Sequence, residues 1–142
     1  MYPSHAFAGG ASAYARVGTE TGAMSASPHQ LIVMLFDGAA AAIQMARLQL
    51  ARREIAAKGK SISKAINIID NGLKASLDPQ AGGAAGAALV ADLAALYDYI
   101  NQQLMYANLR NDPDLLDEAA RLLENIASAW REIGPAAGGA RP

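Results

Sequence analysis

The chain has 142 residues, of which 52% are apolar and 18% charged, and a formal net charge of -1. This composition describes one folded domain with a packed core, and so even a charge balance gives no global attraction to nucleic acid or anionic lipid. With no cysteine, the chain can form no disulfide, thiolate metal site or thiol nucleophile. Met1-Tyr2-Pro3-Ser4-His5 lacks the basic and apolar regions of a secretory signal. The richest apolar run, Leu31 to Ile43, is shorter than a membrane span and contains Asp37. A soluble cytoplasmic protein with no membrane insertion is the expectation.

In chain order, residues 1–26 are small and polar, with Gly9, Gly10, Gly18 and Gly22, and read as a mobile arm in which Tyr14 and Val17 stand out. Ser27-Pro28-His29-Gln30 is a helix start: Ser27 caps the free amides, Pro28 suits the first helical position and Gln30 closes a capping box. Leu31, Leu35, Ala39, Ala42, Ala46 and Leu50 then give one buried face, and Lys58-Gly59 is the predicted stop. Ser61 is placed as the cap of a second helix whose stripe is Ile62, Ile66, Ile69, Leu73 and Leu77, ending at Asp78-Pro79. Gln80 to Gly86 reads as a flexible connection, followed by a third helix with Leu89, Leu93, Leu96, Ile100, Leu104 and Ala107 inward. Asp112 and Pro113 open a fourth, where Leu115, Leu116, Ala119, Leu122, Leu123, Ile126, Trp130 and Ile133 form the cleanest stripe before Gly134-Pro135.

Four amphipathic helices joined by short turns bury their stripes together as an antiparallel four-helix bundle. The predicted organisation is an all-α bundle over residues 27–134, an arm over 1–26 able to carry a short helix, and a tail over 135–142. Trp130 is expected to fill space near one end of the core.

The residues carry no convincing catalytic or cofactor-binding constellation. His5 and His29 lack the spacing with acids that bundle metal sites use. Gly82-Gly83-Ala84-Ala85-Gly86 has no Gly-Lys-Ser/Thr after it, so a hinge is the reading rather than a phosphate loop. Asp37 and Asp98 are read as surface carboxylates. Arg47, Arg52, Arg53, Lys58, Lys60 and Lys64 are read as a solvated basic end of the bundle.

The more informative signal is apolar surface beyond what the core can use. At about 100° per residue, Met34, Ala41, Met45 and Leu48 fall together away from the Leu35 stripe, and Tyr99 and Tyr106 align outside the core stripe of the third helix. Methionine adapts its shape and tyrosine offers an apolar face with a polar tip, so these are candidate binding residues.

Tyr14-Ala15-Arg16-Val17, Thr19-Glu20-Thr21 and the run from Ser25 through Ser27-Pro28-His29-Gln30-Leu31 to Asp37-Gly38-Ala39 resemble the opening of the FliS family of flagellar export chaperones. The likeness continues through Lys64-Ala65-Ile66, Ser76-Leu77-Asp78, Asp92 to Tyr99 and Ala107-Asn108 to Trp130-Arg131-Glu132-Ile133. Phe36 stands where tyrosine is usual in that family, Asp92 where asparagine is common, and alanines precede Leu89 where an acid is frequent.

The resemblance implies a bundle that binds the disordered C-terminal region of flagellin in the bacterial cytosol, prevents premature polymerisation and delivers it to the flagellar type III export apparatus. It implies no enzyme activity and no cofactor. Tyr14 and Val17 would form a displaceable cover, and Met34, Met45, Leu48, Tyr99 and Tyr106 would contribute to the groove beneath it. Further partners open on this reading are the flagellar export gate, an anti-sigma factor and a second copy in a homodimer. The competing readings are a structural bundle that self-associates through the same strips and, last, a small bundle enzyme.

Overall fold

A computed structural model describes residues 26–134. The predicted arm up to residue 25, including Tyr14 and Val17, and the predicted tail from residue 135 lie outside the described residues. The elements are α1 (Pro28–Ala51), α2 (Ile55–Asn67), α3 (Gly83–Arg110) and α4 (Pro113–Ile133). Between α2 and α3 the chain passes through a π-helical stretch, Ile68–Leu73, and a 3-10 turn, Lys74–Ser76. Among the described residues there is no strand. α1 packs between α2 and α4, and α3 packs between the same two on the other side. Four antiparallel helices thus stand at the corners of a square, with α1 and α3 diagonal to one another, which is the all-α bundle the stripes predict.

The starts of α1 and α4 follow their local signals, whereas Ile133, read as the last residue of the α4 core stripe, is 52% exposed at the helix end. Ser27 Oγ accepts from the Gln30 backbone N–H at 3.1 Å and Gln30 Oε1 accepts from the Ser27 N–H at 2.9 Å, completing the capping box. Asp112 caps α4 by accepting from the Asp114 N–H, and Pro113 occupies the first turn.

The predicted stop at Lys58-Gly59 is overturned, because α1 ends seven residues earlier, at Ala51. The Glu54 N–H reaches the Gln49 carbonyl at 2.8 Å and the Arg53 N–H reaches Leu50 at 3.0 Å, the two bonds of a Schellman motif. Its left-handed residue is Arg53, at φ 63°, rather than the glycine that usually announces such an end. Lys58-Gly59 and Ser61 consequently lie inside α2, and Ser61 does not cap it: its hydroxyl donates to Gln49 Oε1 on α1 at 2.7 Å. The third helix likewise begins earlier than its apolar period suggests, at Gly83. Gly82 and Gly83 take left-handed φ, and a Cβ on Gly86 would lie only 1.9 Å from the Ala81 carbonyl oxygen, so glycine is required there.

The core is built from Leu35, Phe36, Ile43, Ile62, Ile69, Leu73, Ile100, Leu104, Leu116 and Leu123, with Ala39, Ala46, Ala65, Ala107 and Ala119 fully inside. Those alanines let helix axes approach closely, and the larger side chains interdigitate beside them. Leu89, expected in the core stripe, is instead 58% exposed. It has the right helical phase, yet the first turns of α3 run past the end of the core, where no side chain among the described residues buries them. Trp130 is half-buried and packs against one end of the core.

Two side chains tie the bundle at opposite ends. His29, buried, stacks on Trp130 with ring centroids 4.9 Å apart, and its Nε2 lies 2.8 Å from the Trp130 carbonyl oxygen. Since a carbonyl only accepts, Nε2 carries the proton. The Trp130 indole N–H donates back to the His29 carbonyl at 3.2 Å, closing a reciprocal pair between the start of α1 and the end of α4. At the other end Lys58, read from the sequence as solvated, is only 2% exposed. Its Nζ donates to the Asn108 carbonyl oxygen at 2.9 Å and to Asn108 Oδ1 at 2.6 Å. The Asn108 backbone carbonyl belongs to the last turn of α3, where no intrahelical donor remains, and the side-chain amide oxygen adds a second acceptor beside it. A cation at the C-terminus of α3 also complements the helix dipole, while desolvation lowers the pKa of Lys58.

Two stability changes follow. Lys58→Met keeps the stem but leaves the two half-buried Asn108 acceptors without their donor, and should lower unfolding free energy by about 1–3 kcal/mol in urea titrations; unchanged stability would show that the contact contributes nothing. Arg53→Gly removes the Cβ penalty at the left-handed position and should raise stability by up to about 1 kcal/mol. A loss on that substitution would mean that Arg53 makes stabilising contacts larger than its backbone strain.

Candidate partner-binding surfaces

α1 has only one face to give to the core, and its remaining apolar residues are left outside. Met34, Met45, at 48% exposure, and Leu48 line its outer face together with exposed Ala41. The flank of α1 toward α4 is polar: Arg47 Nε pairs with Asp117 at 2.8 Å, and Asp37 pairs with Arg131 at 3.2 Å. The opposite flank meets α2 and the π-helical stretch after it, where Ile68 Cδ1 lies 3.5 Å from where a Cβ on Gly38 would stand, an ordinary packing distance. Relative to Gly38, Met45 is rotated outward by about 20° and Met34 by about 40°, so the strip leans toward α2.

Tyr99 and Tyr106 belong to a different face. Tyr99, exposed on the side of α3 toward α4, donates its hydroxyl to Glu118 Oε2 at 2.8 Å, and Gln103 Nε2 donates to Glu118 Oε1 at 2.8 Å. Donation from Gln103 and then from Tyr99 holds the Glu118 carboxyl below its usual range, while the bond to that carboxylate raises the Tyr99 phenol. Tyr106 is half-buried, accepts from Gln102 at 3.3 Å, and lies under the Arg110 guanidinium, 4.7 Å from its ring centroid. Because α1 and α3 are diagonal, the methionine strip and the tyrosine pair are two surfaces rather than the walls of one groove. Met105 and Leu109 add further exposed apolar area on α3, turned about 140–180° from Ile100; helical phase alone would have revealed them.

Asp37 and Asp98 are exposed carboxylates in surface ion pairs, Asp98 with Lys74 at 2.8 Å. Among the described residues no three His, Asp or Glu side chains gather in a way that could hold a metal ion. α1 and α3 are both long and apolar enough to cross a bilayer by length and composition. The same property arises in a helix that gives one face to a protein core and keeps an apolar strip outside it.

An all-α bundle with surplus apolar surface on its outer faces is the architecture of a binding scaffold. The family model described as flagellar protein FliS matches residues 10–137. The flagellar secretion chaperone FliS of Salmonella typhimurium is 54% identical over 130 residues, covering 92% of this chain and 93% of its own. The flagellar secretion chaperone FliS of Escherichia coli is 46% identical over 123 residues, 87% of this chain and 88% of the relative. The flagellar secretion chaperone FliSB of Pseudomonas aeruginosa is 39% identical over 120 residues, 84% of this chain and 91% of the relative. The chain belongs to the FliS family, and that membership places it among the flagellar secretion chaperones.

Proposed function

We propose that this protein binds the disordered C-terminal segment of flagellin in the bacterial cytosol, holds it from polymerising and delivers it to the flagellar type III export apparatus. The observation that carries the reading is the strip of Met34, Ala41, Met45 and Leu48, exposed on a helix whose other face is fully used by the core, in a chain of the FliS family. A disordered segment that folds on binding can lay apolar helical turns along such a strip, and methionines adapt to turns of differing shape. Binding and release of this kind need no covalent step, so the function proposed is not enzymatic and uses no cofactor. Tyr99 and Tyr106 would serve a second stretch of a client that wraps the bundle, since they face away from the methionine strip. Tyr14 and Val17 keep the role of a cover over the α1 strip when no client is bound. Export gate and anti-sigma factor remain candidate partners of the loaded or free chaperone.

Calorimetric titration with a C-terminal flagellin segment from the same organism should give saturable one-to-one binding with a negative heat-capacity change, and an N-terminal fragment should give none. Met45→Lys should weaken that binding about tenfold or more, the equivalent of losing one buried methionine, while the melting temperature stays within a degree or two. Binding unaffected by Met45→Lys would remove the strip from the client site. Concentration-dependent self-association without client binding would favour the structural-bundle reading instead.

A further inference from the structure

The apolar strip of α1 has charged borders on both sides, but on the α4 side the charges are paired, Arg47 with Asp117 and Asp37 with Arg131. The Gln49–Ser61 hydrogen bond and the Gly38–Ile68 contact fix the antiparallel register of α1 against α2. In that register Met45 stands level with Lys64, and Leu48 stands level with Ser61. At about 100° per residue, Lys64 is turned outward from Ser61 by about 60° and Lys60 by about 100°, onto the side of α2 that flanks the strip. Both lysines are exposed, and neither forms an ion pair among the described residues. Arg52, also exposed and in no ion pair among the described residues, closes the same line at the end of α1. Of the acids nearby, Asp37 is paired with Arg131 of α4, Asp70 acts on Lys74, which is bonded to Asp98 of α3, and Glu54 lies in the α1–α2 turn beside Arg52 and Arg53, six residues before Lys60. The outer α1–α2 seam therefore combines an apolar floor with uncompensated positive charge on its α2 side, on a chain whose net charge is slightly negative.

We infer that this seam takes an amphipathic helix with acidic residues along one flank: its apolar side chains rest on Met34, Ala41, Met45 and Leu48, and its carboxylates reach Lys60 and Lys64. The inference deepens the chaperone reading and rests on it in assigning that helix to the client. The lysines have long stems, so their ammonium groups can meet a carboxylate at the rim while their methylenes widen the apolar floor. The charge fixes the direction and register in which the helix lies, whereas the strip alone would accept it in several.

The test uses the full chain and calorimetric titration at low and high salt, about 50 and about 500 mM. The probes are a designed amphipathic peptide of about five turns with leucines on one face and glutamates along one flank, a twin with glutamine for each glutamate, the C-terminal flagellin segment, and phosphatidylglycerol vesicles. The glutamate peptide should bind about tenfold more tightly than its twin at low salt, and the difference should shrink at high salt. Lys60→Glu with Lys64→Glu should abolish the preference. Lys60→Gln with Lys64→Gln should reduce it by a smaller factor, and circular dichroism of both variants should match the parent.

Equal binding of the two peptides, a preference that survives charge reversal, or capture of vesicles in place of either peptide would each overturn the inference. If the flagellin segment binds with no dependence on Lys60 and Lys64 and the designed peptides do not differ, the seam proposal fails and the chaperone reading stands. If the designed peptides behave as expected and the flagellin segment does not bind, the seam chemistry stands and the client assignment fails.

Discussion

A helix at the corner of a four-helix bundle can bury little more than one face, and α1 is apolar over more than that. Ala39, Ala42 and Ala46 let it sit close to its neighbours, and Leu35, Phe36, Ile43 and Leu50 supply the core volume. Met34, Met45 and Leu48 are left over. They are not substitutes for missing core residues, because the core beneath them is already closed by fully buried side chains. Everything proposed about binding depends on that surplus. A chain selected only to fold would gain solubility from polar residues at those positions, since contiguous apolar surface on a monomer invites association.

The scaffold is held by contacts that leave the strip untouched. At one end His29 and Trp130 exchange hydrogen bonds to each other's backbone, and at the other Lys58 completes the last turn of α3. Each contact supplies a donor to a helix C-terminus from a neighbouring helix, so helix ends that would need water are satisfied by the fold itself. The surface ion pairs Arg47–Asp117 and Asp37–Arg131 add orientation between α1 and α4 at small energetic weight, being exposed. A client can therefore occupy the outer face of α1 without breaking anything that sets the bundle.

Local chemistry made part of this legible in the sequence. Ser27-Pro28-His29-Gln30 and Asp112-Pro113 are helix starts whose physics is contained in a few residues, and both stand as read. The end of α1 was hidden because the left-handed position is filled by Arg53, while Gly59 offers a more familiar stop and is in fact helical. Lys58 was read by residue type as solvated. Its burial depends on Asn108, fifty positions away, and on a register that no local pattern contains. Leu89 has the correct period for a core residue, but periodicity cannot say where a neighbouring helix ends. The outward residues of α1 and α3 were recognisable by phase. That they occupy separate faces follows from which helices are adjacent, and the stripes do not encode that order.

The most direct test of the account is the NMR spectrum of protein labelled at the methionine methyl groups, titrated with the C-terminal flagellin segment. Of the five methionines, Met34 and Met45 lie on the α1 strip, while Met105, also exposed, reports separately on α3. The Met34 and Met45 methyl signals are expected to move together and saturate at one equivalent, whether or not the Met105 signal also moves as the client reaches the Tyr99–Tyr106 face. Movement of Met105 with Met34 and Met45 unchanged would contradict the account, and would transfer the client from the outer face of α1 to that of α3.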